Sequence, residues 1–176
     1  MILLVGQSAS GKTEIAKSLS KNYHIKKAIT NTTRPMRNGE VNGIDYYFLT
    51  KEEFLKLKED NKLVESTLYN GNYYGCSKSE VGKDKCIVLE PDGISSFLKL
   101  NDGSMVVFLL KASKKTREER MLSRGDKLED IKKRLDNDEE RFKESNVKYD
   151  YAINTDNRSI DELTREIYNL YINRIK

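Results

Sequence analysis

The sequence predicts an α/β protein in which a parallel β-sheet carries helices on both of its faces. Apolar segments alternate with amphipathic helical segments along most of the 176 residues, a pattern that is typical of βαβ units. A glycine-rich turn with the spacing G-x-x-x-x-G-K-T joins the first apolar segment to the first helical one. Residues 32–75 interrupt the alternation with short strand-like segments, one short helix and several tyrosines, so they predict a small inserted α+β lobe.

The glycine-rich turn comprises residues 6–13 and follows the apolar run Ile-Leu-Leu-Val at residues 2–5. Glycines permit a tight loop whose N–H groups point inward, and the helix that begins here adds the positive end of its dipole. This strand–loop–helix context predicts a P-loop that binds the phosphates of ATP. The residues that we expect to bind them are Gly6, Ser8, Ala9, Ser10, Gly11, Lys12 and Thr13.

Two side chains of the P-loop are expected to act on the nucleotide directly. Lys12 should reach the β- and γ-phosphates, and Thr13 should offer its hydroxyl to Mg²⁺. A second threonine is not present at position 14, which is occupied by Glu14. The expected set of ATP-binding residues therefore ends at Thr13.

The composition argues against several classes of protein. A net charge of +4 is too small and too dispersed to indicate nucleic-acid binding. No apolar run approaches the ~20 residues that span a membrane, and the chain begins inside its first strand without a targeting segment. Cys76 and Cys86 have neither metal-ligand nor disulfide spacing. We therefore expect a single cytoplasmic domain without a nucleic-acid or membrane partner.

Local signals divide the first half of the chain into elements. Residues 24–30 favour a short strand, residues 46–48 an aromatic strand and residues 63–65 another strand. Thr50 and Glu53 have the form of a capping box that opens a short helix. Asn70-Gly71 suits the two-residue turn of a hairpin.

The second half alternates strands with helices. Residues 86–90, 105–110 and 151–154 predict strands. The helix after the first of them is expected to carry the apolar residues Ile94, Phe97, Leu98 and Leu100. Ser113 is expected to cap a short helix that Gly125 closes and that contains Arg117, Arg120 and Arg124. A longer helix from about residue 128 is expected to carry on one face Ile131, Leu135 and Phe142. A capping box at Ser159 is expected to open a C-terminal helix whose inward face carries Leu163, Ile167 and Leu170.

Two arginines stand three residues apart around Pro35, ahead of turn residues and the aromatic strand. Arginine presents a planar fork that matches phosphate, so Arg34 and Arg37 are candidates for an anion clamp. A charged loop that leads into an edge strand explains the same residues equally well. The residue types alone leave both interpretations open.

The stretch from residue 32 to residue 48 reads T-T-R-x-x-R-x-x-E-x-x-G-x-x-Y-x-F, and it resembles the diagnostic motif of guanylate kinases at every specified position. The resemblance extends over nearly the whole chain and includes the P-loop. It implies a P-loop NTPase fold with a three-layer core at about residues 1–30 and 84–176. It also implies a GMP-binding lobe at about residues 31–83 and a short helical lid at about residues 115–135.

The resemblance implies a role for individual residues in binding GMP. The phosphate of GMP would be bound by Arg34, Arg37, Tyr46 and Tyr74. Glu65 would accept hydrogen bonds from the N1–H and the amino group of guanine, and Thr30 and Cys76 would lie near the guanine edge.

The resemblance also implies catalytic residues besides Lys12, namely the lid arginines Arg120, Arg124 and Arg134, which would contact the ATP phosphates and the transferred group. Arg117 matches no position of the family motif, so we expect it on the surface. Glu90 aligns with the second of two aspartates in the family, and with Thr13 it is the expected site for the Mg²⁺ that accompanies ATP.

The implied activity is ATP-dependent phosphorylation of GMP, and of dGMP, to the diphosphate by in-line transfer, in a monomer or homodimer. Two alternatives stay open: a non-catalytic binding module of the same fold, and a kinase of this fold that acts on another nucleoside monophosphate or a phosphorylated sugar. Lys12 and the lid arginines favour an enzyme, because phosphoryl transfer needs alignment and charge neutralisation. Glu65 favours guanine.

Overall fold

The computed structural model describes residues 1–69, 71–100, 103–142 and 147–176. Its largest sheet consists of β1 (Ile2–Gly6), β2 (Lys26–Lys27), β7 (Lys85–Leu89), β8 (Val106–Lys111) and β9 (Tyr151–Asn154). All its pairings are parallel, and the strand order is β2-β7-β1-β8-β9. The central strands are mostly apolar because helices cover both faces of the sheet, so neither face meets water.

Successive side chains of β1 alternate between two apolar clusters. Ile2 and Leu4 pack with residues of α1 (Lys12–Tyr23) and α6 (Ile160–Ile175) on one face of the sheet. Leu3 and Val5 pack with Ile94 and Phe97 of α3 (Pro91–Leu98) on the other face. This period of two builds the three layers that the sequence predicts, and the fold class is confirmed.

A second sheet lies within residues 31–77. It consists of β3 (Asn31–Thr32), β4 (Tyr47–Phe48), β5 (Leu63–Tyr69) and β6 (Asn72–Ser77), in the order β4-β3-β6-β5. β5 and β6 are antiparallel with Tyr69 opposite Asn72, although Asn70 of the predicted turn lies outside the described residues. The capping box at Thr50 is confirmed and opens α2 (Lys51–Glu59), whose Phe54 stacks on Tyr73 with ring centroids 5.3 Å apart.

Two helices follow β8 as a hairpin, α4 (Lys114–Ser123) and α5 (Leu128–Arg141). The predicted cap at Ser113 is confirmed, because its side chain accepts a hydrogen bond from the N–H of Thr116. The capping box at Ser159 is confirmed as well. Among the described residues, no helix combines the length and the apolar composition that a membrane span requires.

The short strand expected within residues 24–30 is confirmed and comprises Lys26–Lys27. Two expectations about the elements need correction. α3 ends at Leu98, so Leu100 lies beyond it, and both leucines are exposed because the helix turns only Ile94 and Phe97 towards the sheet. Phe142 caps the end of α5 and packs with the α3 cluster, not with the Ile131 and Leu135 cluster of the hairpin.

Candidate active site

The P-loop connects β1 to α1 at the carboxyl end of the parallel sheet. A side chain at Gly6 is excluded, because a Cβ there would lie 2.5 Å from the carbonyl oxygen of Leu110 on β8 and 2.6 Å from Ser10 Oγ. Gly11 takes a left-handed φ of 99° at the start of α1. The Ser10 N–H donates to the carbonyl oxygen of Gln7 at 3.1 Å and closes the turn. The loop therefore leaves the first N–H groups of α1 available to an anion.

Lys12 extends back along the loop. Its Nζ donates hydrogen bonds to the carbonyl oxygens of Gly6 and, at 3.0 Å, of Gln7. Burial lowers the pKa of Lys12, while the nearby carboxylates of Glu90 and Asp138 act in the opposite direction. A bond from this ammonium group to a phosphate oxygen is stronger than a bond to a neutral carbonyl, so a bound nucleotide would draw Lys12 towards its phosphates.

Glu14 occupies position 14, where a threonine would have added a second hydroxyl beside that of Thr13. It lies in the first turn of α1, where a carboxylate is favourable because it faces the positive end of the helix dipole. Its side chain is exposed, and its Oε1 accepts a hydrogen bond from Lys17 Nζ at 2.9 Å. This surface pair belongs to the helix, so Glu14 adds no group to the expected set of ATP-binding residues.

Arg120 joins α4 to the P-loop. Its NH1 donates to the carbonyl oxygen of Ala9 at 3.1 Å and to Thr155 Oγ1 at 3.1 Å, and its NH2 donates to the carbonyl oxygen of Thr155 at 2.8 Å. One guanidinium thus bridges the P-loop and the residue after β9.

Arg117 contradicts the surface position expected from the sequence. It is only 2% exposed, and its NH1 donates to Asp138 Oδ2 on α5 at 2.9 Å. The packing of α5 against α4 covers a side chain that a solitary charged helix would leave in water. The same Asp138 oxygen accepts the N–H of Ser8 in the P-loop at 2.8 Å.

Arg124 and Arg134 meet at a single carboxylate, that of Asp126 between α4 and α5. The Arg124 Nε lies 2.9 Å and the Arg134 NH1 3.2 Å from Asp126 Oδ2. The hydrogen bond from Arg124 lowers the pKa of Asp126. Both arginine side chains are about half exposed, and neither makes the hydrogen bonds to the loop that Arg120 makes, although the charge of Arg124 adds to burial in lowering the pKa of Lys12.

Arg34 forms the centre of a second cluster, next to β4 and β6. Its NH1 and NH2 lie 3.0 and 2.7 Å from the two carboxylate oxygens of Glu40. This bidentate bond raises the pKa of Arg34 and lowers that of Glu40. The guanidinium lies 5.5 Å from the ring centroid of Tyr46 and 5.6 Å from that of Phe48. Tyr74 packs edge-on against Tyr46, with ring centroids 6.3 Å apart.

The remaining residue of the predicted clamp, Arg37, is exposed, and its backbone N–H donates to Glu40 Oε2 at 2.7 Å. Thr30, which is half-buried, accepts the N–H of Tyr47 at its carbonyl oxygen, 2.9 Å away. The segment can be a charged loop that leads into an edge strand, because β4 lies at the edge of its sheet. It can also be an anion clamp, because the loop before β4 orients Arg34.

Glu65 and Cys76 face each other across β5 and β6. Glu65 Oε1 accepts the N–H of Cys76 at 3.1 Å, and burial raises the pKa of Glu65 in spite of this hydrogen bond. The Cys76 thiol is fully buried within the α3 cluster, and its Sγ donates to the carbonyl oxygen of Ser77 at 3.6 Å. Burial raises the pKa of Cys76 to about 12, so the thiol stays neutral. What Cys76 presents to the Glu65 carboxylate is its backbone N–H.

The start of α3 is close to Glu65 and within electrostatic reach of the P-loop. Gly93 in its first turn approaches Glu65 closely, because a Cβ on Gly93 would lie 3.9 Å from Glu65 Cγ. Glu90, the N-cap of α3, is near enough to Lys12 to act on its pKa. Thr13 and Glu90 are exposed, and no group of three or more His, Cys, Asp or Glu side chains in the described part of the chain could hold a metal ion by itself.

A family model described as guanylate kinase matches residues 1–171 of this chain. The chain belongs to the guanylate kinase family. Guanylate kinase from Rickettsia felis is 33% identical over 98% of this chain and 92% of its own length. Guanylate kinase from Clostridium perfringens strain 13 is 38% identical over 89% of this chain and 76% of its own length. The crystal structure of guanylate kinase from Anaplasma phagocytophilum superposes with a TM-score of 0.69 at 26% identity, over 100% of this chain and 87% of that one.

Membership of the guanylate kinase family confirms the resemblance read from residues 32–48. The structure brings together Arg34, Tyr46 and Tyr74, and it places Arg120 on the P-loop. Among the described residues, Arg124 makes no hydrogen bond to that loop, although its charge adds to burial in lowering the pKa of Lys12, and Arg134 is bound to Asp126.

Four polar residues in these contacts were assigned no role from the sequence, namely Glu40, Asp126, Asp138 and Thr155. Glu40 had a usable signal, because it stands within the motif a few residues after both arginines. Asp138 had none, since α5 carries many acidic residues and only the packing distinguishes this one.

Proposed function

We propose that this protein transfers the γ-phosphoryl group of ATP to GMP, and to dGMP, to give ADP and the guanosine diphosphate. The observation that carries the proposal is the position of the start of α3. Glu65 lies against Gly93 on that turn, while Glu90 of the same turn acts on Lys12 of the P-loop. A carboxylate suited to guanine and a loop suited to ATP phosphates therefore both lie near one helix start.

Guanine recognition falls to Glu65 in this proposal. A carboxylate has about four acceptor positions, and one hydrogen bond from Cys76 leaves enough of them for the N1–H and the amino group of guanine. Burial deprives the Glu65 carboxylate of water as a hydrogen-bond partner. The two donors of guanine would replace that water and favour the charged form of Glu65. Thr30 would lie near the guanine edge, and Cys76 would contribute through its backbone N–H to Glu65.

Recognition of the GMP phosphate falls to Arg34, Arg37, Tyr46 and Tyr74. Glu40 holds the Arg34 fork near the rings of Tyr46 and Phe48, so little side-chain freedom is lost when the phosphate arrives. Arg37 is exposed on the same loop and can turn towards the ligand. Phosphate would share or replace Glu40 as the partner of these guanidinium groups.

Phosphoryl transfer requires neutralisation of charge rather than covalent chemistry by the protein. Lys12 and Arg120 already lie on the P-loop. Arg124 and Arg134 would leave Asp126 to reach the transferred group when the lid closes.

We propose that the chain has three parts: a core at residues 1–30 and 84–176, a GMP lobe at residues 31–83 and a lid at residues 115–135. Closure of the lobe and lid would exclude water from the reacting phosphate.

The oxygen donors at the start of α1 and α3 fit Mg²⁺, which prefers such ligands and keeps waters and nucleotide phosphates in its shell. The Thr13 hydroxyl is exposed beside Lys12, and Glu90 is within electrostatic reach of Lys12. These two residues would hold the ion, directly or through water. When bound, it neutralises charge on the β- and γ-phosphates.

A coupled assay of ADP release tests the proposal with GMP, dGMP, AMP, CMP, UMP and a ribose bisphosphate as acceptors. We expect GMP and dGMP to give the highest kcat/KM. Efficient turnover of another acceptor and none of GMP would overturn the assignment. Tight binding of GMP with no ADP release, under conditions in which ATP also binds, would indicate a binding module instead.

A further inference from the structure

A buried ion pair links the α4–α5 hairpin to the P-loop. Arg117 of α4 and Asp138 of α5 are 2% and 7% exposed. The Arg117 NH1 donates to Asp138 Oδ2 at 2.9 Å, and the same oxygen accepts the Ser8 N–H at 2.8 Å. Asp138 Oδ1 lies 3.4 Å from the Ser8 hydroxyl, which donates to it. Asp138 is therefore bound to the phosphate-binding loop on one side and to a cation on the other.

The hairpin also holds the next residue of the loop. Ala9 has a left-handed φ of 59°, a conformation that is unfavourable for any residue with a side chain. Its methyl group packs against the apolar cluster of Met121, Ile131 and Leu135, and its carbonyl oxygen accepts the Arg120 NH1. Contacts on two consecutive residues, Ser8 and Ala9, thus fix the crest of the loop in place.

The position of Asp138 raises an electrostatic problem. A carboxylate attached to a loop that binds the phosphates of ATP would repel them, and burial would strengthen the repulsion because water screens it poorly. Arg117 supplies the opposite charge at hydrogen-bond distance. Both charges act on Lys12 of the P-loop, in opposite directions. Burial is the main cause of the lowered pKa of Lys12; the charge of Asp138 raises this pKa, and the charge of Arg117 lowers it.

We propose that Asp138 is a positioning residue for the P-loop and that Arg117 is the cation that allows a carboxylate to hold this position beside ATP. The inference rests on the proposed function, since it takes ATP as the ligand of the loop. It assigns to the pair an effect on ATP binding that goes beyond its contribution to the fold. Its distinguishing consequence is that the two partners, when substituted singly, change ATP affinity in opposite directions.

Three variants separate the two charges. Arg117→Leu leaves Asp138 as an uncompensated carboxylate next to the phosphates. Asp138→Asn keeps an acceptor oxygen for the Ser8 N–H but removes the negative charge. The double variant carries neither charge. Lys114→Leu is the matched control, because Lys114 pairs with Glu139 across the same two helices at 3.0 Å but at the exposed surface.

Binding is measured by isothermal titration calorimetry with Mg²⁺ and the non-hydrolysable analogue AMP-PNP, in the absence of GMP. We expect Arg117→Leu to raise the Kd for AMP-PNP by about tenfold or more, because the Asp138 carboxylate, left without its cation, would repel the phosphates at short range. The increase for ADP, which has less charge, should be smaller. Asp138→Asn should bind AMP-PNP as tightly as the wild type or more tightly, the double variant should recover most of the lost affinity, and Lys114→Leu should leave the Kd unchanged.

Steady-state kinetics add a second readout that a purely structural role would not produce. Arg117→Leu should raise the KM for ATP and leave the KM for GMP unchanged. Weaker AMP-PNP binding in Asp138→Asn, or an unchanged Kd in a folded Arg117→Leu, would overturn the inference. If circular dichroism shows that Arg117→Leu is unfolded, the sign of the Asp138→Asn effect decides. No AMP-PNP binding by the wild type would instead overturn the proposed function, and this inference with it.

Discussion

Replacing Glu65 by glutamine removes one acceptor from the carboxylate that we expect to bind guanine. Glu65 Oε1 already accepts the Cys76 N–H at 3.1 Å. If the glutamine oxygen keeps that bond, its NH₂ group faces the donors of guanine, and at least one charge-assisted hydrogen bond is lost. Such bonds contribute roughly 1.5–3 kcal/mol, which corresponds to a loss in kcat/KM for GMP of roughly tenfold to a hundredfold.

AMP provides the internal reference for this variant. It has no donor at N1 and no amino group at C2, so Glu65→Gln should change its kcat/KM little and should narrow the GMP-to-AMP ratio. The ratio is measured by ADP release at subsaturating acceptor, and thermal melts check that the fold is kept.

Arg37→Ala is the matched control for the phosphate. Its side chain is exposed and its N–H bond to Glu40 survives truncation. It should therefore lower activity on every acceptor and leave the GMP-to-AMP ratio nearly unchanged. An unaltered ratio in Glu65→Gln would refute the reasoning, because other groups would then have to distinguish guanine.

Four further predictions follow from the same contacts. Lys12→Ala should cut turnover by about a hundredfold or more at an unchanged melting temperature, because its ammonium offsets charge in the transition state; near wild-type turnover would remove Lys12 from the mechanism. Burial raises the pKa of Glu65 above 4.5, so its carboxylate should become protonated as the pH falls, beginning above pH 4.5. The kcat/KM of the wild type for GMP should then fall towards that of Glu65→Gln, and a ratio of these two kcat/KM values that stays constant with pH would contradict this. Burial raises the pKa of Cys76 and Cys86 to about 12, so a thiol reagent should label the native protein slowly and the denatured protein at both cysteines; rapid native labelling would show that they are accessible. A bisubstrate analogue joining adenosine and guanosine should reduce the radius of gyration in solution scattering, and identical profiles with and without it would argue against closure of the lobe and lid.

The features that the sequence determined are those set by neighbours along the chain. The P-loop lies within eight consecutive residues between a strand and a helix, and the capping boxes at Thr50 and Ser159 each span four. Their hydrogen bonds join residues a few positions apart, so residue type and spacing are sufficient to predict them. The resemblance to the family, carried by residues 32–48, likewise depends on one continuous stretch.

Tertiary structure decided the contacts between distant residues. Tyr74 meets Tyr46 only because β6 and β4 both pair with β3, and Cys76 presents its N–H to Glu65 only through the register of β5 and β6. The interval between Ser8 and Asp138 is 130 residues, and no local period encodes it. Burial of Arg117 depends in the same way on α5 covering α4 and supplying a carboxylate, because a charge is tolerated inside a protein only where the fold brings it a partner.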